Sequence, residues 1–300
     1  MASHRSAGKK IIFKDEEVEV KELRSDSFKG VDIALFSAGA SRSKEFAEHA
    51  VSSGSVVIDN SSAFRMEKDI PLIVPEINAS RINDHKGIIA NPNCSTIIMA
   101  VAVKPIYELS RIKRITASTY QAVSGAGAQA IVELEDQTRS IICEGKSEVV
   151  SNIFPVQIAF NVLPHIDVFL DNGYTKEEMK MLLESQKIFE DKELRVSATT
   201  VRVPVFTSHS ESLVIETEEK ISIGEVREAL DRADGVILKD DIEKNVYPTT
   251  LDSSGNDDIF VGRVREDISV SNGISMWVVG DQLRKGAALN AVQIAEALIE

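Results

Sequence analysis

A cysteine that follows a strand and opens a helix is well placed for covalent chemistry, and Cys94 stands in such a stretch. It lies in Asn91-Pro92-Asn93-Cys94-Ser95-Thr96, after an apolar run at 87–90 and before a helical pattern at 95–109. Pro92 drives Asn91 away from the α region, so a strand should end there and a turn begin. Cys94 then falls at or near a helix N-terminus, where free backbone N–H groups and the helix dipole favour an anion. A thiol so placed tends to ionise at lower pH and can serve as a nucleophile. The plainer reading is a small buried hydrophobe, the role of most free cysteines. Residue type and spacing leave both readings open.

The elements that must position such a thiol come in an ordered rhythm. Strand patterns at 10–13, 18–23, 31–36, 56–58 and 71–74, with a helical pattern at 44–52, follow a β–loop–α–β order. That order predicts a parallel, doubly wound sheet. Ser37-Ala38-Gly39 follows the strand at 31–36, at the carboxyl end where such sheets receive ligands. An ordinary turn glycine is the alternative for Gly39. Beyond residue 109 the texture changes. Strand patterns at 112–120, 196–206, 211–216, 259–264 and 274–279 succeed one another with few helices, which predicts an α+β unit with a mixed or antiparallel sheet.

Within that unit, 121–127 is a glycine-rich loop, 128–140 a helix, and 153–171 irregular structure packed on a core. Thr175 and Glu178 make a capping-box pair opening a helix that runs to about residue 189. A surface helix is expected at 223–234. The last segment, 286–300, carries Ala287, Ala291, Ile294, Ala295 and Leu298 at helical spacing and could return to the first unit. The expected fold class is therefore α/β: a Rossmann-like domain at 1–93 and 280–300, with an α+β domain at 94–279.

Three hundred residues exceed the usual limit for one core, which supports two domains. A net charge of −13 argues against broad binding of nucleic acid or anionic membrane. An anionic substrate must then meet a local positive charge. Two cysteines make no disulfide framework and suit a reducing compartment. No cysteine–histidine cluster suggests a metal. The chain has no apolar N-terminal run and no uninterrupted stretch of about 18 apolar residues, so a cytoplasmic, non-membrane protein is expected.

Six motifs, taken together and in order, resemble the aspartate-β-semialdehyde dehydrogenase family over nearly the whole chain. They are Ser37-Ala-Gly39, Asp59-Asn-Ser-Ser-Ala-Phe-Arg65, Asn91-Pro-Asn-Cys-Ser-Thr96, Tyr120-Gln-Ala-Val-Ser-Gly-Ala-Gly127, Arg202-Val-Pro-Val205 with His209-Ser-Glu211, and Arg284-Lys-Gly-Ala-Ala-Leu-Asn290. The resemblance implies a reversible reaction in lysine, methionine and threonine biosynthesis. Aspartyl phosphate and NADPH give aspartate semialdehyde, phosphate and NADP⁺. Cys94 would be the nucleophile. Gln121 would orient the intermediate, against a plain polar strand end. His209 would be the acid/base, against a structural or solvated histidine. Arg202 would pair the substrate carboxylate in a fork, against a rim salt bridge. Arg65, Asn93 and Lys180 would form the phosphate site. Glu177 would hold the substrate ammonium, although Glu177 and Lys180 also suit a routine surface pair three residues apart. Ser37, Ala38, Gly39, Ser124, Gly125 and Asn290 would contact NADP. The family also implies a homodimer.

One departure stands out. The family begins with a strand and a GxxGxxG turn that cradles the cofactor pyrophosphate, and this chain contains no such turn. Residues 1–8 resemble the segment after the family's second strand, so Ser3, Arg5 and Ser6 would remain as contacts at the adenosine end. By that comparison roughly 35 residues, about one strand–helix–strand passage, are wanting. A free sheet edge, an uncovered apolar face and weak NADP binding are the expected consequences. Ala40 and Thr200 stand where many relatives carry glycine and cysteine. Two other readings stay open: a non-catalytic remnant acting as a subunit partner, and a hydrolase or transferase that uses Cys94 and His209 without a nicotinamide.

Overall fold

The structure, a computed structural model, describes residues 1–299. The chain enters through one 3-10 turn, His4–Ser6, and an exposed hairpin of β1 (Lys10–Phe13) and β2 (Glu16–Glu19). β2 lies earlier than the 18–23 expected. Lys14 and Asp15 both take positive φ, which makes a tight two-residue turn and sets Phe13 opposite Glu16.

A parallel sheet follows: β3 (Ile33–Phe36), β4 (Val56–Asp59) and β5 (Ile88–Ala90), in that spatial order. Helix α1 (Ala40–Ser52) connects β3 to β4. It begins earlier than residue 44 because Gly39, at φ +87°, turns the chain directly from the loop into the helix. The strand expected at 71–74 is reduced to one bridge, Leu72 to Ala90. Pro71 has no N–H to give a ladder, and Pro75 opens the short helix α2 (Pro75–Asn78). β3 pairs with β4 alone. It is a free edge, and Leu35 on it is 54% exposed.

The second unit starts with α3 (Cys94–Leu109), followed by β6 (Ile112–Gln121), α4 (Ala128–Glu144) and α5 (Lys176–Ile188). Then come β7 (Arg195–Arg202), β8 (His209–Thr217), α6 (Ile223–Arg232), β9 (Val236–Leu238), α7 (Thr250–Ser253), β10 (Ile259–Glu266) and β11 (Gly273–Gly280). Six strands form one mixed sheet in the order β7-β6-β8-β11-β10-β9. β7 stops at Arg202 rather than 206, since Pro204 lacks the N–H that would extend the ladder. One wide π-type turn, Arg284–Ala288, precedes α8 (Leu289–Ile299). Glu300, the expected last residue of that helix, lies outside the described residues.

Helix α3 is apolar on almost every side because it is covered on almost every side. Ile97, Ile98, Val101 and Ile106 pack with Ile115, Leu213, Ile215 and Val278 of the mixed sheet and with Met181, Ile188, Val226 and Leu230 of α5 and α6. Leu72, Val74 and Ala90 of the first unit join the same core. α8 does return: Ala291 and Ile294 pack on Ile58, Ile73, Ile82 and Ile89. The capping box on α5 is also present. Thr175 Oγ1 accepts the Glu178 N–H at 3.2 Å, and Glu178 Oε2 accepts the Thr175 N–H at 2.7 Å. Thr175→Ala is expected to cost about 1 kcal/mol in urea denaturation with an unchanged m-value. A loss below about 0.3 kcal/mol would show that the cap contributes little to a helix already held by its core face.

Candidate active site

Asn93 is the N-cap of α3, and its Oδ1 accepts the N–H groups of Ser95 and Thr96 at 3.1 and 3.2 Å. Cys94 is thus the first helical residue, as its spacing from Pro92 predicts. The other face of Asn93 is tied to α5. Its own N–H donates to Glu184 Oε2 at 2.6 Å, and its Nδ2 donates to Glu177 Oε1 at 2.9 Å. Arg65 closes the same corner. Its Nη1 donates to Glu184 Oε1 at 3.2 Å, its Nε to the Asn91 carbonyl at 2.9 Å, and its Nη2 to the Asn60 carbonyl at 3.1 Å.

One stripe of α5 therefore serves the nucleophile turn. Glu177 and Lys180 are a pair at 3.0 Å, and Lys180 also reaches Asp167 at 2.8 Å. Burial pulls Lys180 down, but Glu177 and Asp167 outweigh it and leave the ammonium raised. Glu184 was not among the residues expected from sequence. A signal existed: it lies seven residues beyond Glu177, on the same helical face. Burial raises its carboxyl, while Arg65 and the Asn93 N–H oppose the rise. Lys187, one turn further, donates to the carbonyls of Arg65, Glu67 and Ile70 and pins the loop that carries Arg65.

The mixed sheet supplies the opposite wall. Gln121 on β6 pairs with Arg202 on β7, and Tyr120 pairs with Ser210, which puts Gln121 level with His209 on β8. All three side chains are buried. Arg202 Nη1 donates to the Ala122 carbonyl at 2.7 Å, and the guanidinium lies over the Phe154 ring. It forms no ion pair among the described residues, so the rim salt bridge is not what is found. Gln121 Nε2 lies 3.3 Å from Thr119 Oγ1 and 3.4 Å from Glu177 Oε1. His209 Nδ1 accepts the Ala122 N–H at 3.1 Å, which leaves the ring proton of the neutral imidazole on Nε2. That Nε2 is buried and has no partner. Burial and the Arg202 charge hold His209 well below the usual histidine range.

Gly125 faces this row. A Cβ there would lie 2.9 Å from Arg202 Nη1 and 3.2 Å from His209 Nε2, so only glycine leaves that space open. One row deeper on the same sheet face, Glu211 stands opposite Thr119. It is fully buried and both its carboxylate oxygens are unpartnered. Burial pushes it well above the usual carboxyl range. It too was absent from the residues expected.

Cys94 is partly exposed. Burial of its surroundings is the main cause that pushes its thiol up, to about 12, and Glu177 pushes the same way. Arg65, Arg202 and the Ser95 N–H pull it down without compensating. The helix N-terminus alone does not make a thiolate where lost hydration and a nearby carboxylate oppose it.

The residues expected at the nucleotide divide into three groups. Ser37, Ala38 and Gly39 lie between β3 and α1; no side chain caps the N-terminus of α1, and nothing lies within 4 Å of a Cβ built on Gly39. These features fit an anionic or nucleotide group there. Ser124 Oγ accepts from Gln282 Nε2 at 2.5 Å, beside Gly125. Ser3, Arg5 and Ser6 lie in or beside the single turn at the chain's start, where Ala2 pairs with Glu22. Asn290 is different. It is fully buried, and its amide is engaged by Lys285, Ile73 and Asn91, which makes it part of the frame rather than an open ligand contact. Among the described residues no group suggests a metal site, and no helix is long and apolar enough to cross a membrane.

A parallel nucleotide-type sheet, a mixed sheet and a cysteine at their junction define the semialdehyde dehydrogenase class. Residues 1–85 match the model described as semialdehyde dehydrogenase, NAD binding domain, and residues 103–285 match semialdehyde dehydrogenase, dimerisation domain. The aspartate-semialdehyde dehydrogenase of Aquifex aeolicus is 58% identical over 302 residues, covering 100% of this chain and 88% of that protein. The Bacillus subtilis protein of the same name is 50% identical, covering 99% and 88%. The crystal structure of aspartate semialdehyde dehydrogenase II complexed with ASA from Vibrio cholerae superposes with a TM-score of 0.96 at 49% identity, covering 99% and 88%. The chain belongs to the aspartate-semialdehyde dehydrogenase family of enzymes.

The raised thiol makes a pH prediction. A thiol near 12 is protonated at neutral pH, and its thiolate fraction grows about tenfold per pH unit below that value. Iodoacetamide alkylation of Cys94 in the free protein should climb through pH 10 without levelling off. A plateau near pH 8 would mean that the helix N-terminus and the two arginines outweigh burial.

Proposed function

We propose that this chain catalyses the reversible, NADP-dependent reduction of L-aspartyl 4-phosphate to L-aspartate 4-semialdehyde through a thioester on Cys94. The step belongs to lysine, methionine and threonine biosynthesis. The observation that carries the reading is one cysteine at a helix N-terminus within the field of Arg65 and Arg202, with Gln121 and a neutral His209 on the same buried sheet row as Arg202. The substrate has a carboxylate, an ammonium group and an acyl phosphate, and each meets a suitable group here.

Arg202, buried and free of any carboxylate partner among the described residues, is the fork for the substrate carboxylate. Glu177 receives the ammonium. Arg65 and Lys180, with Asn93 holding the turn, receive the phosphate. Glu177 is one cause of the raised Cys94 thiol. The sulfur attacks the acyl carbon, the carbon–oxygen bond to phosphate breaks, and phosphate leaves with the electron pair and takes up the thiol proton. His209 Nε2–H lies on the row that bounds this space and donates to the oxygen on which charge develops. Gln121 orients the acyl group from the same row. Burial of all three side chains excludes water that would hydrolyse the thioester.

A nicotinamide nucleotide, when bound, supplies the hydride. Ser37, Ala38 and Gly39 would hold it on the first unit, Ser124 and Gly125 would border its reactive end, and Ser3, Arg5 and Ser6 its adenosine end. The functional domains are 1–93 with 280–300, and 94–279. The match to a dimerisation domain, and the exposed sheet face where Tyr120 packs on Trp277, support a homodimer. The cytoplasm is the expected location.

The test is phosphate-dependent reduction of NADP⁺ with aspartate semialdehyde, followed at 340 nm with NADP⁺ in excess. Turnover is expected, and Cys94→Ser should lose at least about 10³-fold in kcat. Arg202→Lys, which keeps the charge and loses the fork, should raise KM for the aldehyde about tenfold or more. Phosphate release from aspartyl phosphate without NADPH consumption would favour a hydrolase instead, and the absence of both activities would favour a non-catalytic remnant.

A further inference from the structure

A chain of amide groups runs behind the nucleophile turn, and all of its donors point one way. Lys285 Nζ donates to Asn290 Oδ1 at 2.9 Å. Asn290 Nδ2 donates to Asn91 Oδ1 at 2.6 Å, and Asn91 Nδ2 to Asn60 Oδ1 at 2.6 Å. Asn60 Nδ2 then reaches Ser37 Oγ at 3.5 Å. Lys285, Asn290 and Asn91 are at most 1% exposed. One end lies in the loop before α1, and the middle lies at Asn91, immediately before Pro92-Asn93-Cys94. The π-type turn that carries Lys285 also touches the nucleophile: a Cβ on Gly286 would lie 3.1 Å from the Cys94 Cβ.

An ammonium has donors and no acceptor. Asn290 must therefore turn its oxygen to Lys285, which leaves its nitrogen for Asn91. Asn91 must then offer its oxygen to Asn290 and its nitrogen to Asn60. Two backbone carbonyls favour the same direction as the ammonium: Ile73 accepts from Asn290 Nδ2 at 2.9 Å and Ala287 from Asn91 Nδ2 at 3.2 Å, and a reversed amide would set oxygen against oxygen at each. Lys285 is held for this task by Glu76 at 2.6 Å and by Gln293 at 2.6 Å. Asn91 has further ties whose geometry depends on its orientation. Its Nδ2 also reaches the Ala287 carbonyl at 3.2 Å, its N–H donates to the Asp59 carbonyl at 2.8 Å, and its carbonyl accepts from Arg65.

We propose that Lys285 is a positioning residue that anchors the Lys285–Asn290–Asn91–Asn60–Ser37 chain and thereby holds the Cys94 turn in register with the loop before α1. The proposal rests on Cys94 being the nucleophile of the reaction above. Two variants interrupt the chain at different links. Asn290→Asp has the same shape and still accepts from Lys285, but it cannot donate to Asn91 or to the Ile73 carbonyl. Lys285→Met combined with Glu76→Gln removes the ammonium and its counter-charge together, so no lone buried charge remains.

Two readouts are taken on the full chain. One is the rate of iodoacetamide alkylation of Cys94 at fixed pH, which needs neither substrate nor nucleotide. The other is kcat and KM for the aldehyde. Both variants should alkylate and turn over about tenfold more slowly or worse, with KM within about threefold of wild type, since a small misplacement of a reacting atom costs rate. Folded variants that alkylate and turn over within about twofold of wild type would overturn the proposal, even if their melting temperatures fall. A wild-type chain without turnover would count against the proposed reaction, and the alkylation rates would then decide this proposal alone.

Discussion

The site depends on one buried carboxylate. Glu184 holds the N–H of Asn93 with one oxygen and the guanidinium of Arg65 with the other. The first contact fixes the residue that caps α3, so it sets where Cys94 begins the helix. The second brings a cation from the first unit to the same point. Both oxygens are satisfied by charge-assisted bonds, which is what makes a carboxylate tolerable in the interior. The pair joins α5 of the mixed-sheet unit to the loop after β4. The two units therefore meet at the Cys94 turn through an ionic contact as well as through the apolar packing of α3.

Around that joint the protein keeps charge and water apart. The sheet row of Arg202, Gln121 and His209 is buried, and Cys94 beside it is partly exposed. Low polarity raises the cost of every unmatched charge. At rest the thiol keeps its proton and His209 stays neutral. The deeper row behaves alike, since Glu211 is buried without a partner and is driven toward its neutral form.

Much of this was legible in the residues. Pro92 marks the end of β5 and a helical pattern follows at 95–109, so the place of Cys94 followed from local chemistry. Thr175 and Glu178 signalled α5 in the same way, and alternation announced the strands of the mixed sheet. Local errors had local causes. Pro71 and Pro204 shortened strands by removing a donor, and the positive φ of Lys14 and Asp15 moved β2. The burial of Asn290 and its bonds to Lys285, Ile73 and Asn91 could not be read from its motif, because all of these but Lys285 come from distant segments.

The sequence by itself determined which groups are available and which short segments carry them: a helix-opening cysteine, a capped charged helix, a strand ending in Gln121 and another opening at His209. Those features arise from backbone preferences and spacing within a few residues, so they can be read locally. Only the tertiary structure decided which groups meet and in what state. Glu184 meets Arg65 across 119 positions, and Asn290 meets Asn91 across 199. The Cys94 thiol is raised, against the effect of its helix terminus, because distant segments close over it. Burial is a property of the whole fold, and it sets the charge that each of these groups can carry.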